Sequence, residues 1–164
     1  MEAIEAHDGL HRFMYRDKPI LTEPGGFQVF RLGEMRKVTE AGLKFRSPVD
    51  ASEVYFDSET SMKIQTSLHA DIAMVFDEST PYPGSHKEAK ESMQMSLHWA
   101  KRGADAFNQY ENPNVLLGIV LGGAHNNSRD ISRDGLIDIG SDDSATSKRS
   151  HRYSSWPANT GCDS

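Results

Sequence analysis

Two carboxylates stand where a cleft would need them. Glu23 follows the short apolar run Pro19-Ile20-Leu21-Thr22, and Asp77 follows the run from Ala70 to Phe76. A third run, Val115 to Val120, passes into Leu121-Gly122-Gly123. If the three runs lie side by side as strands, both carboxylates emerge at one end, where one could hold a proton while the other stays ionised. On spacing alone each also reads as a loop carboxylate that caps a turn or a helix. Gly25-Gly26 and Gly122-Gly123 would let a ligand approach the backbone closely, or simply serve a turn. Neither pair belongs to a phosphate-loop motif. His7 and His11 could share a helical face, but no third ligand accompanies them. His98 falls on a helical pattern with a surface or half-buried role, and Met93 and Met95 read as packing residues. The one cysteine, Cys162, excludes a disulfide framework and a cysteine-rich zinc site built from this chain.

The elements that must position these groups are legible in the pattern of apolar residues. The three runs are short, rich in branched residues, without alternation, and stopped by Gly or Pro, as in strands buried on both faces of a parallel sheet. Ser58-Glu59 could start a helix with Ile64 and Leu68 on one face. After Pro83-Gly84, Ser85 and Glu88 make a capping box, and Ala89, Met93, Leu97, Ala100, Ala104 and Phe107 recur at helical steps. Lys87 and Glu91 support the exposed face of that helix. A short helix from Ser128 to Asp138 is interrupted by Gly135. From Arg36 to Phe56 the pattern is that of a small β-hairpin excursion. Strand–helix–strand repetition implies a parallel α/β arrangement, with a doubly wound sheet and an eight-stranded barrel both open at this point.

Composition narrows the class. The chain has 164 residues with 24 Asp and Glu against 18 Lys and Arg, a formal net charge of −6. That balance argues against wholesale nucleic-acid binding, though not against a local basic patch. No apolar run is long enough to cross a membrane. The acidic N-terminus lacks the order of a secretory signal, so a cytoplasmic protein is expected. Mean hydropathy is −0.61, and the polarity is concentrated at one end. Residues 141–164 contain no Val, Ile, Leu, Met or Phe, and seven of those 24 are serine. Such a stretch cannot offset its ordering entropy by burial and reads as a disordered tail, so the folded part is expected to span residues 1–140.

Several longer stretches then fall into register. Gly9 to Met14 (GLHRFM), Pro19 to Phe30 (PILTEPGGFQVF), Phe45 to Asp50 (FRSPVD), Ala73 to Pro83 (AMVFDESTPYP), Ser92 to Arg102 (SMQMSLHWAKR) and Gly118 to Gly123 (GIVLGG) closely resemble the tRNA-guanine transglycosylases, in the wording of the bacterial queuosine-pathway type. The resemblance covers about residues 9–140. It implies a (β/α)8 barrel enzyme that exchanges the wobble guanine of tRNA for a 7-deazaguanine, either 7-aminomethyl-7-deazaguanine or queuine. One aspartate of the family attacks the ribose and a second handles the proton of the incoming base.

Carried over by position, Glu23 stands where the family has its proton-handling aspartate, and Pro24 replaces a serine. Gly25, Gly26 and Phe27 keep the motif, Phe27 being expected against the flat base. Asp77 matches the base-recognising aspartate, whose carboxylate accepts from N–H groups on a guanine edge. Ser79 takes a position usually held by cysteine. Leu121 replaces a glutamine ahead of Gly122 and Gly123, so a base-binding amide is absent. Strands before Gly9, the attacking aspartate and the zinc-binding cysteines of the family have no counterpart in these residues. The resemblance therefore implies a partial barrel of about three strands, truncated at both ends, with no cofactor of its own. The isolated chain is expected to lack turnover. Open sheet edges favour self-association or pairing with a full-length homologue. A non-catalytic, base-binding partner subunit is the rival reading, and a carbohydrate-active enzyme using Glu23 and Asp77 is a third.

Overall fold

The computed structural model describes residues 2–25, 36–47, 49–78, 84–110, 114–123 and 125–139. Gly26, Phe27, Ser79 and the tail at 141–164 lie outside them. Two short helices, α1 (Glu2–Glu5) and α2 (Leu10–Phe13), lead into strand β1 (Leu21–Thr22). An antiparallel sheet follows, made of β2 (Arg36–Thr39), β3 (Gly42–Arg46) and β4 (Glu53–Phe56). Then come α3 (Ser58–Ser67), β5 (Ile72–Met74), α4 (His86–Phe107), β6 (Val115–Leu117) and α5 (Asn126–Asp138).

The parallel sheet has the order β1-β5-β6, with Leu21 beside Ile72 and Ile72 beside Val115. Strands adjacent in this sheet succeed one another, and successive helices pack together, α3 on α4 and α4 on α5. The helices therefore form one layer against one face. Ala73, Val75 and Leu116 meet Met62, Ala100, Ala104, Phe107 and Leu136 there to make the main core. The strands are shorter than the apolar runs suggest, and burial on both faces holds only in part. By register, Leu21, Ile72, Met74 and Leu117 turn away from the helices, and Leu21 is 49% exposed.

The excursion after β1 has three strands where a hairpin was expected. Its inner face, with Leu43, Val38, Phe45 and Phe56, covers a second core centred on Phe76 and Trp99. Phe76 stacks on Trp99 at 4.9 Å between ring centroids and receives Phe56 edge-on at 5.2 Å. Trp99, fully buried, also donates its indole N–H to the Glu40 carbonyl at 2.8 Å.

Local signals explain the helix ends. Ser85 and Glu88 form the reciprocal capping box at α4. Lys87 and Glu91 are 3.8 Å apart on its exposed side. At α3 the cap is Asp57, which accepts from the Thr60 N–H at 2.8 Å. The buried stripe of α3 is Ser58, Ser61, Met62 and Gln65, with Ile64 and Leu68 only partly covered. Gly135 sits within α5 without breaking it, and a Cβ there would come within 2.9 Å of the Leu97 side chain. The glycine lets α5 lie close to α4.

Candidate functional site

Because β1, β5 and β6 are parallel, the residues that follow them share one edge of the sheet. Glu23 leaves β1, Asp77 follows β5 after the buried pair Val75-Phe76, and Leu121-Gly122-Gly123 follow β6. The structure thus brings Glu23, Pro24, Gly25, Asp77, Leu121, Gly122 and Gly123 to that edge, while Gly26 and Phe27 fall outside the described residues. Glu23 is exposed, and Asp77 and Leu121 are half-buried.

A buried glutamine controls how Glu23 departs from the sheet. The Gln65 side-chain oxygen accepts from the Met74 N–H and from the Thr22 hydroxyl, each at 3.0 Å. Its amide nitrogen donates to the Met74 carbonyl at 2.9 Å and to Ser61 Oγ at 3.1 Å. Side chain therefore replaces strand at this point: Met74 has its backbone partners without a β1 residue beyond Thr22. Pro24 could not have donated in any case. Glu23 is released from the ladder directly after a residue that the glutamine holds.

The Asp77 loop is secured from α4. Ser96 Oγ accepts from the Glu78 N–H at 2.9 Å, and Ser92 donates to the Glu78 carbonyl at 3.3 Å. From α5, Ser132 Oγ accepts from the Leu121 N–H at 3.0 Å. Gly122 is needed by the fold itself, with φ of 130° and a virtual Cβ 2.7 Å from the Arg129 nitrogen. Gly123 also has positive φ, at 57°. The rings of His86 and His125, 4.3 Å apart, join the first turns of α4 and α5 beside this loop. The serines and Gln65 were not read as site-forming from sequence. Their one signal is polar residues at four-residue steps, 92 and 96 on α4 and 61 and 65 on α3, on faces otherwise apolar.

Behind Asp77 runs a crevice lined by Val75, Met93, Ser96, Leu97, Ala100, Ile119, Ser132 and Leu136, too narrow to admit water. A carboxylate on that wall is poorly solvated. Burial pushes the Asp77 carboxyl up to about 6, its own backbone N–H pulls the other way, and the charges of Glu23 and Glu78 add to the rise. Burial is the main cause, and Glu23 contributes through its charge alone. At neutral pH Asp77 is mostly an acceptor, and slightly below it becomes a donor as well.

The other histidines have partners of their own. His11 donates from Nε2 to Asp71 Oδ2 at 2.8 Å and from Nδ1 to the Arg16 carbonyl at 2.9 Å, while the His7 ring meets Phe13 edge-on. His98, exposed on α4, contacts the Glu40 carboxylate. Among the described residues no group of three His, Cys, Asp or Glu side chains could hold a metal ion. Nor is any described helix long and apolar enough to cross a membrane.

The family model for queuine tRNA-ribosyltransferase matches residues 1–147. The chain is 55% identical over 141 residues to a queuine tRNA-ribosyltransferase of Shewanella frigidimarina, covering 86% of this chain and 38% of that protein. It is 56% identical over 142 residues to the protein of that name from Dechloromonas aromatica, covering 87% and 38%. The Vibrio cholerae protein of that name gives 55% over 141 residues, covering 86% and 37%. The chain spans less than two fifths of the length of these relatives. With the motif residues at one sheet edge and a match over most of its length, the chain belongs to the queuine tRNA-ribosyltransferase family.

Proposed function

We propose that this chain carries the base-binding carboxylates of an enzyme that exchanges guanine in tRNA for a 7-deazaguanine base such as 7-aminomethyl-7-deazaguanine or queuine. The observation that carries the reading is the meeting of Glu23 and Asp77 at one strand edge, close enough for Glu23 to raise the proton affinity of Asp77. An ionised Asp77 accepts N–H groups of a purine edge, and Glu23 exchanges the proton of the incoming base. Pro24 and Gly25 stand on the β1 side and Leu121, Gly122 and Gly123 on the β6 side, and by resemblance Gly26 and Phe27 belong to the same base-binding motif. Glu23 reaches one methylene further than an aspartate, and a misplacement of ~1 Å can cost on the order of a hundredfold in rate. Leu121 offers no amide, and leaving base polar groups unpaired there costs about 1–3 kcal/mol.

The same reading makes the parallel sheet a section of a (β/α)8 barrel. Sequential strand order, a single helix layer and a partly exposed apolar face at Leu21, Ile72, Met74 and Leu117 are what an opened barrel presents. These 164 residues bind base without turning it over, because the attacking carboxylate of the family has no counterpart among them. Leu121 and Pro24 also suit a base-binding subunit that pairs with a full-length homologue. Co-purification with such a homologue tests that second reading.

Calorimetry with guanine tests the function directly. Wild-type chain is expected to bind, and Asp77→Ala to lose at least tenfold in affinity. Binding that ignores Asp77→Ala, or guanine exchange into tRNA by the purified chain alone, contradicts the reading.

A further inference from the structure

The antiparallel sheet has a face that the base site does not use. Its inner face is the apolar one on Phe76 and Trp99, so alternation turns Lys37, Lys44, Arg46, Glu53 and Tyr55 outward, all of them exposed. Lys37 lies directly opposite Lys44, and Lys44 opposite Tyr55, in one row across the three strands. Like charges placed opposite each other destabilise a sheet. Arg46 stands two residues along from Lys44, facing Glu53. None of the three cations forms an ion pair with a described residue. The Tyr55 hydroxyl is spent on the Ala41 carbonyl at 2.9 Å, so that end of the row offers an aromatic edge and no charge.

The platform is also rigid. The turn between β2 and β3 is held to α4 by the Trp99 indole on the Glu40 carbonyl and by Arg102, which donates to Glu40 and Ala41 carbonyls at 2.9 and 3.2 Å. Arg102 is itself fixed by Glu59 at 2.6 Å. A chain with a net charge of −6 thus presents, on an anchored sheet, a row of cations without an ion-pair partner among the described residues.

We propose that this outer face, Lys37, Lys44 and Arg46, binds the phosphate backbone of RNA. The charge complementarity is local, and its two spacings suit a polyanion: roughly 5 Å across the strands at Lys37 and Lys44, and about 7 Å along one strand from Lys44 to Arg46. Phosphates neutralise the repulsion that the unliganded row carries. The proposal rests on the tRNA reading of the base site and adds to it a surface for the nucleic acid.

The test is fluorescence anisotropy of the purified chain with a labelled RNA hairpin over a range of salt concentrations. Lys37→Glu/Lys44→Glu is compared with Lys63→Glu/Lys90→Glu, which makes the same change in net charge on the exposed faces of α3 and α4. The sheet-face variant is expected to weaken binding at least tenfold and to flatten the slope of log affinity against log salt by about 1.5, the share of two phosphate contacts. The control pair is expected to change affinity by less than about threefold, and Glu53→Lys to tighten it. Equal losses in both double variants, unchanged affinity in the first, no RNA binding by the wild type, or a preference for anionic vesicles over RNA each overturn the proposal. Guanine calorimetry on the same proteins separates the two readings. Retained guanine binding with no effect at Lys37 and Lys44 sinks only the sheet face, whereas RNA binding without guanine binding sinks the base site.

Discussion

The two ends of the parallel sheet treat their carboxylates in opposite ways. At the end where β5 begins, Asp71 accepts from the Ile20 N–H at 2.7 Å and pairs with His11 at 2.8 Å. The Ile20 N–H, then His11, hold the Asp71 carboxyl below its ordinary range, and the Arg16 carbonyl and Asp71 raise His11. Each partner stabilises the charged form of the other. At the end where β5 stops, Asp77 sits against a dry crevice with Glu23 and Glu78 as neighbours and is pushed up to about 6. There the loops are held by other means, the buried serines 96 and 132 and the tight backbone at Gly122. One end spends its charges on holding the chain together, whereas Glu23, Asp77 and Glu78 at the other form no ion pair with a described residue. A carboxylate strained by its surroundings and placed in a cleft is the pattern of a functional group.

The comparison can be broken at either end. The largest effect is expected at Gly122, where alanine combines positive φ with a backbone clash: Gly122→Ala should cost about 3 kcal/mol or more in chemical denaturation. Asp77→Asn should act in the other direction. The folded state of wild type binds more protons than the unfolded chain between about pH 4 and 6, so stability falls as pH rises through that window. Removing the charge should therefore raise stability by about 2 kcal/mol at pH 8 and by little at pH 4. A stability gain at pH 4 equal to that at pH 8 would break the argument.

Asp71→Ala should cost about 1 kcal/mol, the modest value reflecting partial exposure of both partners. Its pH dependence has the sign of a clasp. The Asp71 contribution is present above the unfolded value near 3.8 and lost on acidification through its lowered folded value. The His11 contribution is present below 6.5 and lost as pH rises through its raised value. The smallest effect is expected from Glu23→Gln, which should lower the Asp77 pKa by a fraction of a unit in a carboxyl NMR titration. No shift would place Glu23 outside the cleft.

Much of this arrangement was legible in local pattern. The three apolar runs gave parallel strands, and Ser85 with Glu88 gave the start of α4, because both signals lie within a few residues of what they determine. Gln65 was illegible, since its four hydrogen bonds reach Thr22, Ser61 and Met74 and exist only once β1, α3 and β5 have met. Ser96 and Ser132 likewise look like breaks in an apolar face until the loops they hold are in place. The third strand of the antiparallel sheet, Glu53–Phe56, falls within the span expected to be a hairpin, and its pairing with β3 is set by contacts that its own four residues do not declare. Gly135 read as an interruption because the reason for it is Leu97 on another helix. Of the candidate site, the positions came from motif and strand order, while the raised proton affinity of Asp77 came from packing.

The pH dependence of guanine affinity tests the central claim most directly, because it asks whether the uncompensated carboxylate is the one that meets the base. If ionised Asp77 accepts the base N–H groups, affinity measured by calorimetry should be level above about pH 7 and fall by nearly tenfold per pH unit below about 6. Asp77→Asn should bind weakly and without that slope. An affinity that is the same at pH 5 and pH 8 in the wild-type chain would contradict the account.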